Sequence, residues 1–93
     1  DDTIIGNFVS FHAENHNYHA LDQPIHRQGV NWQGIEVGRD CWIGAKVTIL
    51  DGARVGDQSV IAAGAIVRAG TYPPRSILAG VPARIVGLRG ARQ

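Results

Sequence analysis

VGRDCW IGAKVT ILDGAR VGDQSV IAAGAI VRAGTY is the run from Val37 to Tyr72, written in sixes. The first place in each six is Val or Ile every time: Val37, Ile43, Ile49, Val55, Ile61 and Val67. Val and Ile make up about a fifth of the chain, so chance agreement in one frame is on the order of one in ten thousand. The second place is Gly38, Gly44 and Gly56 in three units. The fifth is small or β-branched throughout: Cys41, Val47, Ala53, Ser59, Ala65 and Thr71. Helical faces recur at 3.6 residues and strand faces at 2, so a beat of six is neither a helix nor one hairpin. Six residues make one short strand and a tight bend. The first residue then points inward, the fifth lies near the axis, and the second sits at a bend where Gly permits unusual backbone angles. Three units close a triangular coil of about eighteen residues, and stacked coils pair as parallel strands about 4.8 Å apart. The expected fold is an all-β parallel β-helix stabilised by coil stacking on coil.

The same register appears earlier. Ile5-Gly6-Asn7-Phe8-Val9-Ser10 has the aliphatic–Gly opening, and Phe11 begins the next unit. The beat then fails: Phe11 to Val37 is 26 residues, not a multiple of six. Between them runs a polar stretch, about 14–34, containing Pro24 and Gly29. It reads as a loop thrown out of the coils, and long loops in compact domains are usually functional or disordered. After Tyr72 the repeat is expected to stop at Pro73-Pro74, which lack two backbone donors. The tail 73–93 carries Gly87 and Gly90, which argue against a long final helix. Residues 1–93 thus read as a single β-helical domain with a protruding loop.

Composition narrows the function. The formal net charge is +1, so no overall basic excess points to nucleic acid. From Gln58 onward there is no Asp or Glu, but there are Arg68, Arg75, Arg84, Arg89 and Arg92. That reads either as a solvated basic tail or as a site for an anionic ligand, since guanidinium suits phosphate. A single cysteine, Cys41, forms no disulfide within the chain and suits a reducing, cytoplasmic compartment. No apolar stretch approaches the roughly 20 residues of a membrane span, and the start lacks the pattern of a signal peptide. No Met is present, even at position 1, which reads as a processed product or a piece of a longer chain. Four His stand between positions 12 and 26: His12, His16, His19 and His26. Each is either an exposed imidazole of a polar loop or a group that does chemistry.

Three signatures carry a resemblance. They are Trp42-Ile43-Gly44-Ala45; the run Ser59-Val60-Ile61-Ala62-Ala63-Gly64-Ala65-Ile66-Val67; and Ala79-Gly80-Val81-Pro82-Ala83-Arg84. With them the chain resembles the hexapeptide-repeat acyltransferases, closest to the maltose/galactoside and polysaccharide O-acetyltransferase branch. The resemblance implies left-handed winding, whereas general rules favour right-handed crossovers. It also implies a homotrimer with sites between copies, acetyl-CoA as co-substrate and no metal. The acceptor would be a small molecule with a hydroxyl, sugar-like or otherwise. His16 best matches the family's general base at the start of the protruding loop, with His12 as the competing assignment. Imidazole titrates near neutrality, which leaves a basic fraction at cellular pH. Asn15 or Glu14 is a candidate to orient it. By the same resemblance Trp42, Ala45, Ala63 and Arg68 line a pantetheine groove, and Arg84 meets the nucleotide end. The turn Arg68 to Pro73 is one residue longer than the family's usual turn, and Ala69-Gly70 replaces its common Lys-Asp pair. Family members also carry further coils ahead of this segment. Two other readings stand beside this one. One is a non-catalytic trimeric scaffold. The other is a γ-type carbonic anhydrase, whose three zinc ligands do not fit His clustered in one loop.

Overall fold

The computed structural model describes residues 2–91; Arg92 lies outside the described residues. The repeat folds as its beat predicts. The first coil consists of β1 (Ile4–Ile5), β2 (Ser10–His12) and β5 (Glu36–Val37). The second is β6 (Trp42–Ile43), β7 (Thr48–Leu50) and β8 (Ala53–Val55). The third is β9 (Val60–Ile61), β10 (Ile66–Val67) and β11 (Gly70–Tyr72). Strands of successive coils pair in parallel and form three faces: β1-β6-β9, β2-β7-β10 and β5-β8-β11.

Register stacks like on like. Ile5, Ile43, Ile61 and Leu78 follow one another up the first face. Phe11, Ile49 and Val67 do so on the second, and Val37, Val55 and Tyr72 on the third. Ile43, Ile49, Val55, Ile61, Val67 and Leu78 are buried. Each such aliphatic side chain contributes roughly 1.5–3 kcal/mol by leaving water. Cys41, Val47, Ala53, Ser59 and Ala65, the fifth residues of their sixes, are buried too. One corner is lined by small polar groups in this place. Ser59 Oγ donates to the Gly56 carbonyl at 2.8 Å, and the Cys41 thiol faces the same oxygen at 3.4 Å. These contacts satisfy side chains that have no access to water.

Three expectations need correction. The glycines in second place are not there for unusual backbone angles: the left-handed residues come two places later. Phe8, Asp40, Lys46, Gln58 and Arg75 have φ between 53° and 64°, and Gly52 and Gly64 occupy the same fourth place at 86° and 76°. The second place needs Gly because the next coil passes directly over it. A Cβ on Gly44 would lie 2.7 Å from the Ala63 nitrogen, and one on Gly38 would lie 2.6 Å from that of Asp57. Gly44→Ala is therefore expected to cost about 1–3 kcal/mol, an overpacking penalty. Gly87→Ala meets only the Ile77 Cδ1 at 3.8 Å and should change stability by about 0.5 kcal/mol or less. Chemical denaturation of the two variants checks the contrast; equal midpoints would contradict it.

The second correction lies at residues 67–72. Ile49 to Val55 is a step of six residues, but Val67 to Tyr72, stacked on them, is a step of five. Tyr72 rather than position 73 therefore takes the inward place, packed half-buried against the core. Thr71, expected near the axis, is exposed. The third concerns Pro73-Pro74. They turn a corner and do not end the ladder. β12 (Ser76–Gly80) pairs parallel with β9, and β13 (Ala83–Leu88) folds back antiparallel along β12. Ser76 and Leu78 fill the fifth and first places of the shifted frame, both buried.

Candidate active site

The first coil is interrupted between its second and third faces. Ser10 pairs with Thr48, and Glu36 with Arg54, so a long insertion leaves the coil after β2 and returns before β5. The polar stretch in it is ordered by its amides. β3 (Asn15–His16) and β4 (Val30–Asn31) form an antiparallel rung with Asn15 opposite Asn31 and His16 opposite Val30. The Asn17 N–H extends the ladder to the Gly29 carbonyl at 2.9 Å. The Gln28 side chain ties the tip together: its Nε2 donates to the Ala20 and Gln23 carbonyls, and its Oε1 accepts the Ala20 N–H. A 3₁₀ turn at Ile25–Arg27 lies between.

Asp51 closes the insertion where it meets the prism. It is buried at the corner of the second coil. Its carboxylate accepts the Gln33 N–H at 2.8 Å, the Gly34 N–H at 2.7 Å and the Asn15 Nδ2 at 3.2 Å. Both stems of the insertion thus end on one side chain. The Gly52 N–H beside it donates to the Gly34 carbonyl at 2.8 Å. A candidate orienter of the imidazole, Asn15, spends its amide on Asp51 instead. Glu14 is exposed. Tyr18 stacks on His19 with ring centroids 4.8 Å apart.

His16 lies on the rung, exposed. His12 lies at the end of β2, exposed and in register with Leu50. Among the described residues no three His, Cys, Asp or Glu gather as metal ligands would.

A groove of about 360 Å³ runs along the first face and its corner, lined by Trp42, Gly44, Ala45, Val60, Ala62 and Ala63 among others. Its walls are apolar, and the short side chains of Ala45, Ala62 and Ala63 line it beside the Trp42 ring. Three residues singled out from the sequence, Trp42, Ala45 and Ala63, come together here. Arg68 and Arg84 are exposed and outside this lining. The Tyr72 hydroxyl donates to the Arg68 carbonyl at 2.9 Å. Arg89 is engaged structurally: its guanidinium lies 3.2 Å from the Asp40 carboxylate and donates to the Asp40 carbonyl at 3.0 Å. Sequence reasoning did not find Asp51 or Gln28. An Asp-Gly pair signals a turn, but nothing in linear order joins position 51 to 15, 33 and 34.

Fold and groove together define a class: a parallel β-helix of stacked hexapeptide coils with an apolar channel and a His-bearing insertion. Residues 34–69 match the family model described as bacterial transferase hexapeptide (six repeats). Over 71 residues the chain is 38% identical to a probable acetyltransferase of Mycobacterium tuberculosis, covering 76% of this chain and 23% of that protein. A galactoside acetyltransferase solved in complex with coenzyme A superposes with a TM-score of 0.82 at 33% identity, over 94% of this chain and 42% of that one. A hexapeptide-repeat acetyltransferase of Vibrio cholerae, solved with acetyl coenzyme A, gives 0.79 at 29% identity, over 97% and 48%. The chain spans less than half the length of each. The fold is an all-β, left-handed parallel β-helix. No helix among the described residues is long and apolar enough to cross a membrane.

Proposed function

We propose that this chain is the coenzyme A-binding part of an acetyltransferase that moves acetyl from acetyl-CoA to a hydroxyl of a sugar-like or other small acceptor. The observation that carries this reading is the apolar groove of Trp42, Ala45 and Ala63, laid along hexapeptide coils like those of an acetyltransferase solved with acetyl coenzyme A. The apolar lining suits the pantetheine arm of the co-substrate. Arg68, just after β10, and Arg84, on β13, are exposed and supply positive charge for the phosphates.

His16 is the general base. It takes the acceptor's hydroxyl proton as the oxygen attacks the thioester carbonyl, and backbone N–H groups stabilise the tetrahedral oxyanion. The carbon–sulfur bond then breaks, the imidazolium returns its proton to the sulfur, and an acetyl ester and free coenzyme A result. Because the groove and the insertion lie on different parts of one prism, thioester and base meet between copies of a homotrimer. Exposed Trp42, Val81, Ile85 and Val86 offer apolar surface for that assembly. The single buried cysteine and the co-substrate suit the cytoplasm. The test is release of free thiol from acetyl-CoA across a panel of hydroxyl acceptors, alongside the assembly's mass. Acceptor-dependent release from a trimer is expected. A trimer that neither binds nor cleaves acetyl-CoA would instead mark a scaffold.

A further inference from the structure

We infer that Asp51 is a positioning residue: it clamps both stems of the insertion and sets the direction in which His16 faces. The inference rests on the reading of His16 as base, and adds the group that aims it.

Three observations carry it. Asp51 is 4% exposed, yet both its oxygens accept hydrogen bonds from the insertion alone: from Gln33 and Gly34 on the returning stem and from Asn15 on the leaving one. A buried carboxylate requires such donors, so the corner is stable only with both stems in place. Asn15 is the immediate neighbour of His16 on β3, and Asn17, the next residue, is held as well. Its Nδ2 donates to the Gln28 carbonyl at 2.9 Å, and its Oδ1 accepts from Asn31 Nδ2 at 2.6 Å. Finally, successive side chains on a strand point to opposite sides. Asn15 reaches inward to Asp51, so the imidazole between two fixed asparagines faces away from its own prism. A side chain that served only to fill a turn would not need contacts on both stems.

The groove is on a different face, and this separates aiming from folding. Asp51→Ala should lower kcat on the order of a hundredfold, the effect of a reactant displaced by about 1 Å, with acetyl-CoA affinity within about twofold of wild type. Asn15→Ala, a change at an exposed residue, should lower kcat about tenfold by freeing one stem. Asp51→Asn should recover most of the rate, because its oxygen still accepts the Gln33 and Gly34 N–H groups and its amide donates to Asn15 once that amide flips. Amide hydrogen exchange supplies a readout that needs no turnover. Asp51→Ala should speed exchange at Asn17, Gln33 and Gly34 while residues 42–72 stay protected. Unchanged exchange across 15–34 would overturn the inference. So would an unchanged kcat in an active enzyme, or acetyl-CoA affinity falling in step with kcat. If wild type releases no thiol, the acetyltransferase reading fails, and exchange still decides whether Asp51 is the clamp.

Discussion

His16→Ala is expected to reduce acceptor-dependent thiol release by roughly a hundredfold to ten-thousandfold, the usual contribution of a positioned general base. In barrier terms that is about 3–5 kcal/mol. A hydroxyl is a poor nucleophile until its proton has somewhere to go, and the rung of β3 against β4 fixes the backbone that carries this imidazole. Affinity for acetyl-CoA should be unaffected, because the groove of Trp42, Ala45 and Ala63 is built by other coils. His12→Ala is the internal comparison. His12 ends β2 on the second face, before the insertion begins, and its loss should change kcat by less than about threefold if His16 holds the role. Steady-state kinetics of the two variants decide the assignment. A collapse in His12→Ala with full activity in His16→Ala would reverse it.

Ile49→Ala should be the costliest core truncation away from the site, at about 2–5 kcal/mol. Ile49 is fully buried and stacks between Phe11 below and Val67 above. The coils on both sides are fixed by parallel ladders, so the space left by the lost carbons cannot collapse. Against a typical total of about 5–15 kcal/mol, such a loss is a large share. Ile66 is the comparison. It lies one place before the inward Val67 and is only half-buried, so Ile66→Ala should cost about 1 kcal/mol. Urea unfolding of both variants measures the difference. Equal midpoints would mean that the beat of six does not mark the inward column.

The beat was readable because a solenoid puts the same demand on every turn. Each coil must offer an aliphatic side chain at the same place for the next coil to cover, so Val37 through Val67 repeat one chemical choice. The demand for Gly at position 44 was visible too, although its cause is the backbone of Ala63 overhead and not a bend. What was not readable falls into two kinds. The first is corner geometry. The left-handed fourth place is taken by Asp40, Lys46 and Gln58 as readily as by Gly, so composition there carries no signal. The five-residue step from Val67 to Tyr72 then shifts the frame without a marker, and Pro73-Pro74 looked like an end when it was a corner. The second kind is the insertion. Its hairpin depends on the Gln28 side chain bonding to backbone within the loop and on Asp51 bonding to backbone far along the chain. Such bonds follow no period, so the stretch read only as polar. The resemblance pointed to His16, but its setting between two anchored asparagines came only from the fold.

The crystal structure of the protein with acetyl-CoA tests the account most directly. The pantetheine arm should lie along Trp42, Ala45 and Ala63, and the acetyl carbonyl should face a His16 imidazole from an adjoining copy across a gap that admits one hydroxyl oxygen at about 3–3.5 Å from its partners. An acetyl group held elsewhere, or with every His16 in the assembly well beyond about 7 Å, twice that near-attack spacing, would contradict it.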